Sequence, residues 1–313
     1  MEYINVHGYT ISRLTLGTVA LGLDYGISNN KGKPAPQESF EIMSCALAAG
    51  INTLDTAGSY GNAEQLIGSF LDQWENRSPV NVVTKFKIKP EHLLNRNELN
   101  REIIHSVRSS LHQLKLQRIS VCLLHMDSSL PMDQVAAILP SLLHDLKAEG
   151  LIDIGGVSVD HPDEVSFFLD HPEIQAFQVP VNIFDHRLIN NGLLQRMQQK
   201  NKIVFARSVF LQGLFFMSAD QLTGNLVKAK AYINALHDLA GQADMSIAQL
   251  AFSYVRDLPG ITSIVFGAVS VGQVMQNAGL LQGGTISMAL RENIRILFAE
   301  MPEDILIPAL WSK

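Results

Sequence analysis

Four side chains carry the chemistry open to this sequence: Asp55, Tyr60, Lys85 and His125. Each stands at or just past the end of a short apolar run. Asp55 follows the run 51–54, Tyr60 lies in the loop after it, Lys85 follows 80–84, and His125 follows 119–124. A carboxylate, a phenol, an ammonium and an imidazole brought to one place support proton transfer coupled to charge developing on oxygen. A free tyrosine has a pKa of ~10 and is a poor acid or base at neutral pH. An adjacent ammonium stabilises the phenolate and makes the phenol a better proton donor. Asp55 would pair with Lys85 and hold it. His125 would donate a hydrogen bond to a carbonyl oxygen, and Tyr60 would protonate that oxygen as hydride reaches the carbon. No side chain supplies a hydride, so this chemistry requires a cofactor.

Such residues act together only if the chain brings strand ends to one rim. Strand-like runs at 14–18, 51–54, 80–84, 119–124, 152–157, 174–179, 203–206 and 261–266 alternate with helical spacing. The helical patterns cover 37–49, 63–74, 97–114, 133–148, 162–169, 188–199, then 228–240 with 246–256, and 271–280. Asp160 is placed to cap the helix at 162–169. Alternating βα units imply a parallel sheet, and eight of them over about 250 residues suit a closed (β/α)8 TIM barrel. An open doubly wound sheet would carry a glycine-rich phosphate turn after its first strand, and none is present. The segment 3–12, turning at His7-Gly8, reads as a β-hairpin ahead of the barrel. A further helix over 288–298 precedes a C-terminal tail. No linker divides residues 1–313, so one domain is expected.

Composition excludes other classes. The 313 residues carry 24 Lys+Arg against 30 Asp+Glu, a net charge of −6 and a pI near 5.9, which argues against a nucleic-acid partner. Charged residues are 17%, below the ~25% of an average soluble domain. From Leu258 through Leu290 there is no Asp, Glu, Lys, Arg or His. Glycines and the amides Gln273, Gln276, Asn277 and Gln282 interrupt this stretch, so it does not read as a membrane span. The N-terminal residues lack the basic start and apolar core of a signal peptide, and a soluble cytoplasmic protein is expected. Cys45 and Cys122 fit reduced, small apolar positions.

Several familiar motifs are absent. Residues 26–33 end in Gly-Lys without P-loop spacing, and there is no HExxH or Cys-x-x-Cys to suggest a metal. Residues 156–160 miss the nucleophile-elbow pattern, although Ser158 still ends a strand.

With these residues in hand, the sequence resembles the aldo-keto reductases, bacterial members more than animal ones. GINTLDTAGSYGNAEQLIG (50–68) looks like that family's signature around its catalytic Asp and Tyr, VVTKF (82–86) like the segment with the Lys, and LLHMD (123–127) like the one with the His. The resemblance runs from about residue 14 to 277. It implies a TIM barrel with a hairpin closing its bottom and metal-free, NADP- or NAD-dependent reduction of a small-molecule carbonyl, sugar-derived ones included. It also implies Tyr60 as the general acid/base, Lys85 and Asp55 tuning it, and His125 orienting the carbonyl.

For the cofactor, the resemblance places Gly17 and Thr18 near the nicotinamide ribose. It puts Ser158 and Gln178 at the carboxamide, and Ser208 and Phe210 along the pyrophosphate. Gly267 falls after the last strand, and Gln273, Gln276 and Asn277 at the adenine end. Val159 stands where relatives have Asn, and Arg207 where many have a stacking Tyr. Arg207 would stack on or cover the nicotinamide, or anchor a substrate carboxylate or phosphate. No basic residue follows the eighth strand, where relatives preferring NADPH keep one, so weak NADP preference or dual use is expected. Tyr25, Met126, Phe184, Phe210 and Trp311 are candidate substrate contacts. The alternatives are a cofactor-binding regulatory protein, like the potassium-channel β subunits, and an enzyme using the cofactor internally for a non-redox net reaction.

Overall fold

Short runs buried on both faces, with helical spacing between them, decide the architecture. The computed structural model describes residues 1–27, 29, 31–75, 78–127 and 129–312. Strands β1 (Tyr3–Val6) and β2 (Tyr9–Ser12) pair antiparallel. His7 and Gly8 between them have φ of +49° and +82°, as a two-residue hairpin turn of this hand requires.

Eight parallel strands follow: β3 (Leu14–Gly17), β4 (Thr53–Asp55), β5 (Asn81–Phe86), β6 (Ile119–His125), β7 (Ile152–Ser158), β8 (Ala176–Pro180), β9 (Ile203–Arg207) and β10 (Ser263–Gly267). They close in sequence order, β10 pairing back to β3. The fold is thus the expected α/β class, a (β/α)8 barrel. Helices cover it through apolar stripes. Arg96–Leu114 buries Leu99, Ile103, Val107, Leu111 and Leu114, and its first turn is capped by the Asn95 side chain accepting from the Glu98 N–H.

The hairpin closes the bottom. Val6 and Ile11 pack on Val83, Val121, Leu123, Ile154, Ala176, Ile203 and Phe205, which fill the lower barrel. The amides of Asn52 and Asn81 both donate to the Thr10 carbonyl at 2.9 Å, and the Tyr9 hydroxyl donates to Asp153. The opposite end is left for polar residues.

Two expected helices differ. The pattern at 188–199 divides into Arg187–Asn190 and Leu193–Gln199, because Gly192 adopts a φ of +70° between them. The pattern at 162–169 begins as the 3-10 turn Pro162–Glu164 and becomes helical only over Val165–Phe168. Asp160 does not cap it, since its carboxylate is committed to Arg207. The C-terminal helix is Met288–Leu297, and the tail after it is tied down by Asn225, whose side chain accepts from the Ser312 N–H. Among the described residues no helix is long and apolar enough to cross a membrane.

Candidate active site

Side chains two apart on a strand share a face. Below the barrel mouth that face carries Thr53, Val83, Leu123, Gly156, Ala176 and Phe205. One step further it carries Asp55, Lys85, His125, Ser158, Gln178 and Arg207. The small and apolar layer makes a floor, and the polar layer sits on it.

The floor takes water away from Lys85 and Asp55, whose side chains are 0% and 6% exposed. Lys85 Nζ donates to Asp55 Oδ1 at 2.7 Å and to the Thr56 carbonyl at 2.8 Å. Burial disfavours the ammonium, but the Asp55 carboxylate and Tyr60 outweigh it and hold Lys85 above the usual lysine range. Gln178 Nε2 donates to the same Asp55 Oδ1 at 2.7 Å. Strands β4 and β8 are opposite one another in the ring, so this bond crosses the mouth. Ser158 Oγ donates to Gln178 Oε1 at 3.3 Å. Thr18 donates to the Asp55 carbonyl through its N–H and its hydroxyl, both at 2.9 Å.

Tyr60 enters from the loop after β4. Lys85 Nζ lies 5.1 Å from its ring centroid. His125 stands edge-on to the same ring, centroids 6.2 Å apart at 88°. The structure therefore brings Asp55, Tyr60, Lys85 and His125 together. Burial pushes the His125 pKa down to about 3, helped by the cations Lys85, Lys87 and Arg207 and opposed by Asp160. The imidazole is neutral at physiological pH. Its Nδ1 is buried and has no protein partner among the described residues.

Arg207 is clamped. It donates to the Val159 carbonyl at 2.8 Å and to Ser208 Oγ at 3.2 Å, and it pairs with Asp160. Beyond it Ser208, Leu211 and Gln212 have φ of +60°, +46° and +53°, each costing about 1–3 kcal/mol for a residue with a side chain. Phe210 stacks at a tilt on Phe216, 5.4 Å away. Tyr25 reaches this loop from the one after β3. It is exposed and lies within electrostatic reach of Arg207.

Gly17 lies so close to β10 that a Cβ would be 3.2 Å from Val265 Cγ1, whereas Gly267 faces open space. The helix Val271–Leu280 is capped by Ser270, which accepts from the Gln273 N–H. Gln273 Oε1 accepts from the Val269 N–H at 2.8 Å, Asn277 Nδ2 donates to the Gln273 carbonyl at 2.8 Å, and Gln276 is exposed. A cavity of about 360 Å³ beside this helix start is lined by Ser270, Gly272, Glu38, Glu41, Lys31 and Lys33. The residues after the last strand offer no cation, as expected, but Lys31 and Lys33 reach this place from the loop after β3. They are remote in sequence, so inspection of the residues after the last strand could not find them.

Of the candidate substrate contacts, Tyr25 stands with Arg207 and Tyr60. Met126 is buried, its N–H donating to the Ser158 carbonyl. Phe184 is a core residue, 1% exposed, its ring centroid 4.8 Å from that of Phe215 and 4.5 Å from that of Phe298. Its aromatic neighbours remove it from the mouth. Trp311 donates to the Ile305 carbonyl within its own tail. Sequence reasoning missed Lys87, an exposed cation acting on His125. Its signal was its place two residues beyond Lys85, just past the end of β5. Among the described residues no cluster of His, Cys, Asp and Glu could hold a metal.

Comparison with known proteins agrees with this fold. The profile of the Aldo/keto reductase family matches residues 13–288, and the chain belongs to that family of oxidoreductases. An NADH-specific methylglyoxal reductase of Escherichia coli is 28% identical, over 87% of this chain and 90% of the relative. A solved glycerol dehydrogenase from Gluconobacter oxydans superposes with a TM-score of 0.73 at 23% identity, covering 95% of each chain. An aldo-keto reductase from Bacillus halodurans in its holo form gives 0.74 at 21%, covering 95% of this chain and 96% of its own. These two likenesses concern the fold.

Proposed function

We propose that this protein reduces the carbonyl of a small aldehyde, ketone or sugar with a nicotinamide cofactor, Tyr60 being the proton donor. The observation that carries the reading is the buried Lys85 ammonium, held by Asp55 against the Tyr60 ring. Burying an ion pair is costly and seldom adds net stability, so a functional reason for this one is favoured.

The donor set fits the cofactor. Ser158 and Gln178 keep hydrogen-bonding capacity beyond their mutual bond, which suits a carboxamide. Gly17 and Thr18 would face the nicotinamide ribose, and Arg207 would cover the ring. Ser208 and Phe210 would follow the pyrophosphate, in the turn that holds left-handed residues. Gly267, Gln273, Gln276 and Asn277 would meet the adenosine. Bound there, a reduced nicotinamide supplies the hydride. Tyr60 gives its proton to the carbonyl oxygen, and Lys85 stabilises the phenolate left behind. Asp55 keeps Lys85 charged and in place. His125, neutral, donates one N–H to the same oxygen and orients it.

The chain takes NADH and NADPH alike. Its Escherichia coli relative is named as NADH-specific, while Lys31 and Lys33 beside Ser270 offer cations to a 2′-phosphate. Incubating the enzyme with either reduced cofactor and a panel of carbonyls, and following absorbance loss, tests the proposal. Oxidation that depends on a carbonyl supports it, and tight cofactor binding without oxidation on any member contradicts it.

A further inference from the structure

Gly22 ends the helical turn Val19–Gly22, with backbone outside the left-handed region. Alanine is the better helix former there by about 0.8–1 kcal/mol, so local propensity does not explain the glycine. What a side chain would meet does. A Cβ on Gly22 would fall 1.9 Å from the Tyr60 carbonyl oxygen and 2.9 Å from Ala63 Cβ. From the other side, a Cβ on Gly61, whose φ is +59°, would fall 2.4 Å from the Gly22 carbonyl oxygen. The two backbones interlock, each carbonyl occupying the place of the other glycine's absent side chain. The same segments are joined at their bases through Thr18 and Asp55. Tyr60 has only two side-chain torsions, so the seat of its backbone sets the seat of its hydroxyl.

We propose that Gly22 is a positioning residue, whose bare backbone sets how deeply Tyr60 enters the barrel mouth and hence its place against Lys85 and His125. The proposal rests on Tyr60 being the proton donor. Through this contact the loop on the cofactor side determines the geometry of the acid. Misplacing reacting groups by about 1 Å costs on the order of 10²-fold in rate.

Gly22→Ala, Gly58→Ala and Tyr60→Phe are compared with the wild type. Gly58 lies in the Tyr60 loop, but a Cβ there meets nothing closer than 3.8 Å, and its variant should match the wild type. For Gly22→Ala, NADH binds with full stoichiometry by fluorescence, and Kd and carbonyl KM stay within about threefold. Its kcat per bound cofactor falls about 30- to 100-fold, and the solvent deuterium isotope effect on kcat rises as proton transfer slows. Unchanged kcat, a loss confined to KM, or a loss matching fewer cofactor sites overturns the proposal. If Gly22→Ala is insoluble, Gly61→Ala probes the same contact from the other side. If neither yields cofactor-binding protein, the contact serves folding and the positioning role is rejected. An active Tyr60→Phe sinks the proton-donor reading itself, whereas an inactive one beside a fully active Gly22→Ala sinks only this inference.

Discussion

Gln178 and Lys85 donate to one atom, Asp55 Oδ1, each at 2.7 Å and from different sides of the barrel. The residue proposed to hold the carboxamide is therefore linked through a single oxygen to the one that supports Tyr60. A bond across the mouth also keeps Asp55 from turning away from Lys85.

That arrangement predicts the energetics of the pair. Removing one partner leaves a buried, uncompensated charge, which costs about 3–5 kcal/mol. Asp55→Asn and Lys85→Met should each lower stability by that order in urea melts and abolish turnover. The double variant should regain much of the stability while staying inactive. Singles and double equally stable would show that the pair is not buried in solution.

His125 gives the stability a pH dependence of known sign. Its folded pKa of about 3 lies below the ordinary value of ~6.5, so below ~6.5 the unfolded chain binds a proton that the folded chain refuses. The contribution is fully present above pH ~6.5 and is lost as pH falls toward 3, at about 1.4 kcal/mol per unit. His186, pushed down chiefly by burial, acts in the same sense. Melts between pH 7 and 5 should fall in the wild type and flatten in His125→Asn. A His125 ring signal titrating near pH 6.5 by NMR would contradict this.

Cofactor choice follows from Lys31 and Lys33. NADPH and NADH should bind with Kd values within about tenfold of each other, since exposed ion pairs contribute little, ~0–1 kcal/mol each. Changing both lysines to Ala should weaken NADPH about three- to tenfold and leave NADH unchanged. A hundredfold preference for NADPH in the wild type would contradict it.

Arg207 is already held by Asp160 and the Val159 carbonyl, which favours a covering role over a substrate anchor. Arg207→Ala should weaken cofactor binding about tenfold, by loss of stacking and of the clamped turn. KM for a 2-oxo acid should rise no more than KM for a neutral aldehyde. A selective loss on the acid would restore the anchoring role.

Much of this was legible in the residues. Strand ends at Asp55, Lys85 and His125 interrupt apolar runs, and closure of eight βα units forces such ends onto one rim. Tyr60 needed the loop after the second barrel strand to turn inward, which its neighbouring glycines permit. Contacts made across the barrel were not legible. Asp160 looks like a helix cap until Arg207 is seen to claim it. Phe184 follows a strand end and reads as a pocket residue until Phe215 and Phe298 close around it. Lys31 and Lys33 belong to a loop whose course no periodicity reveals. Each of these depends on side chains far apart in sequence.

Tyr60 is proposed to protonate a carbonyl reduced at the expense of bound nicotinamide. Single-turnover oxidation of enzyme-bound NADH by methylglyoxal and other small carbonyls, wild type against Tyr60→Phe, tests it most directly. Rapid oxidation is expected in the wild type and a rate lower by about 10²- to 10⁴-fold in the variant, with cofactor affinity unchanged. Equal rates in the two proteins, or tight binding with no oxidation in the wild type, would contradict it.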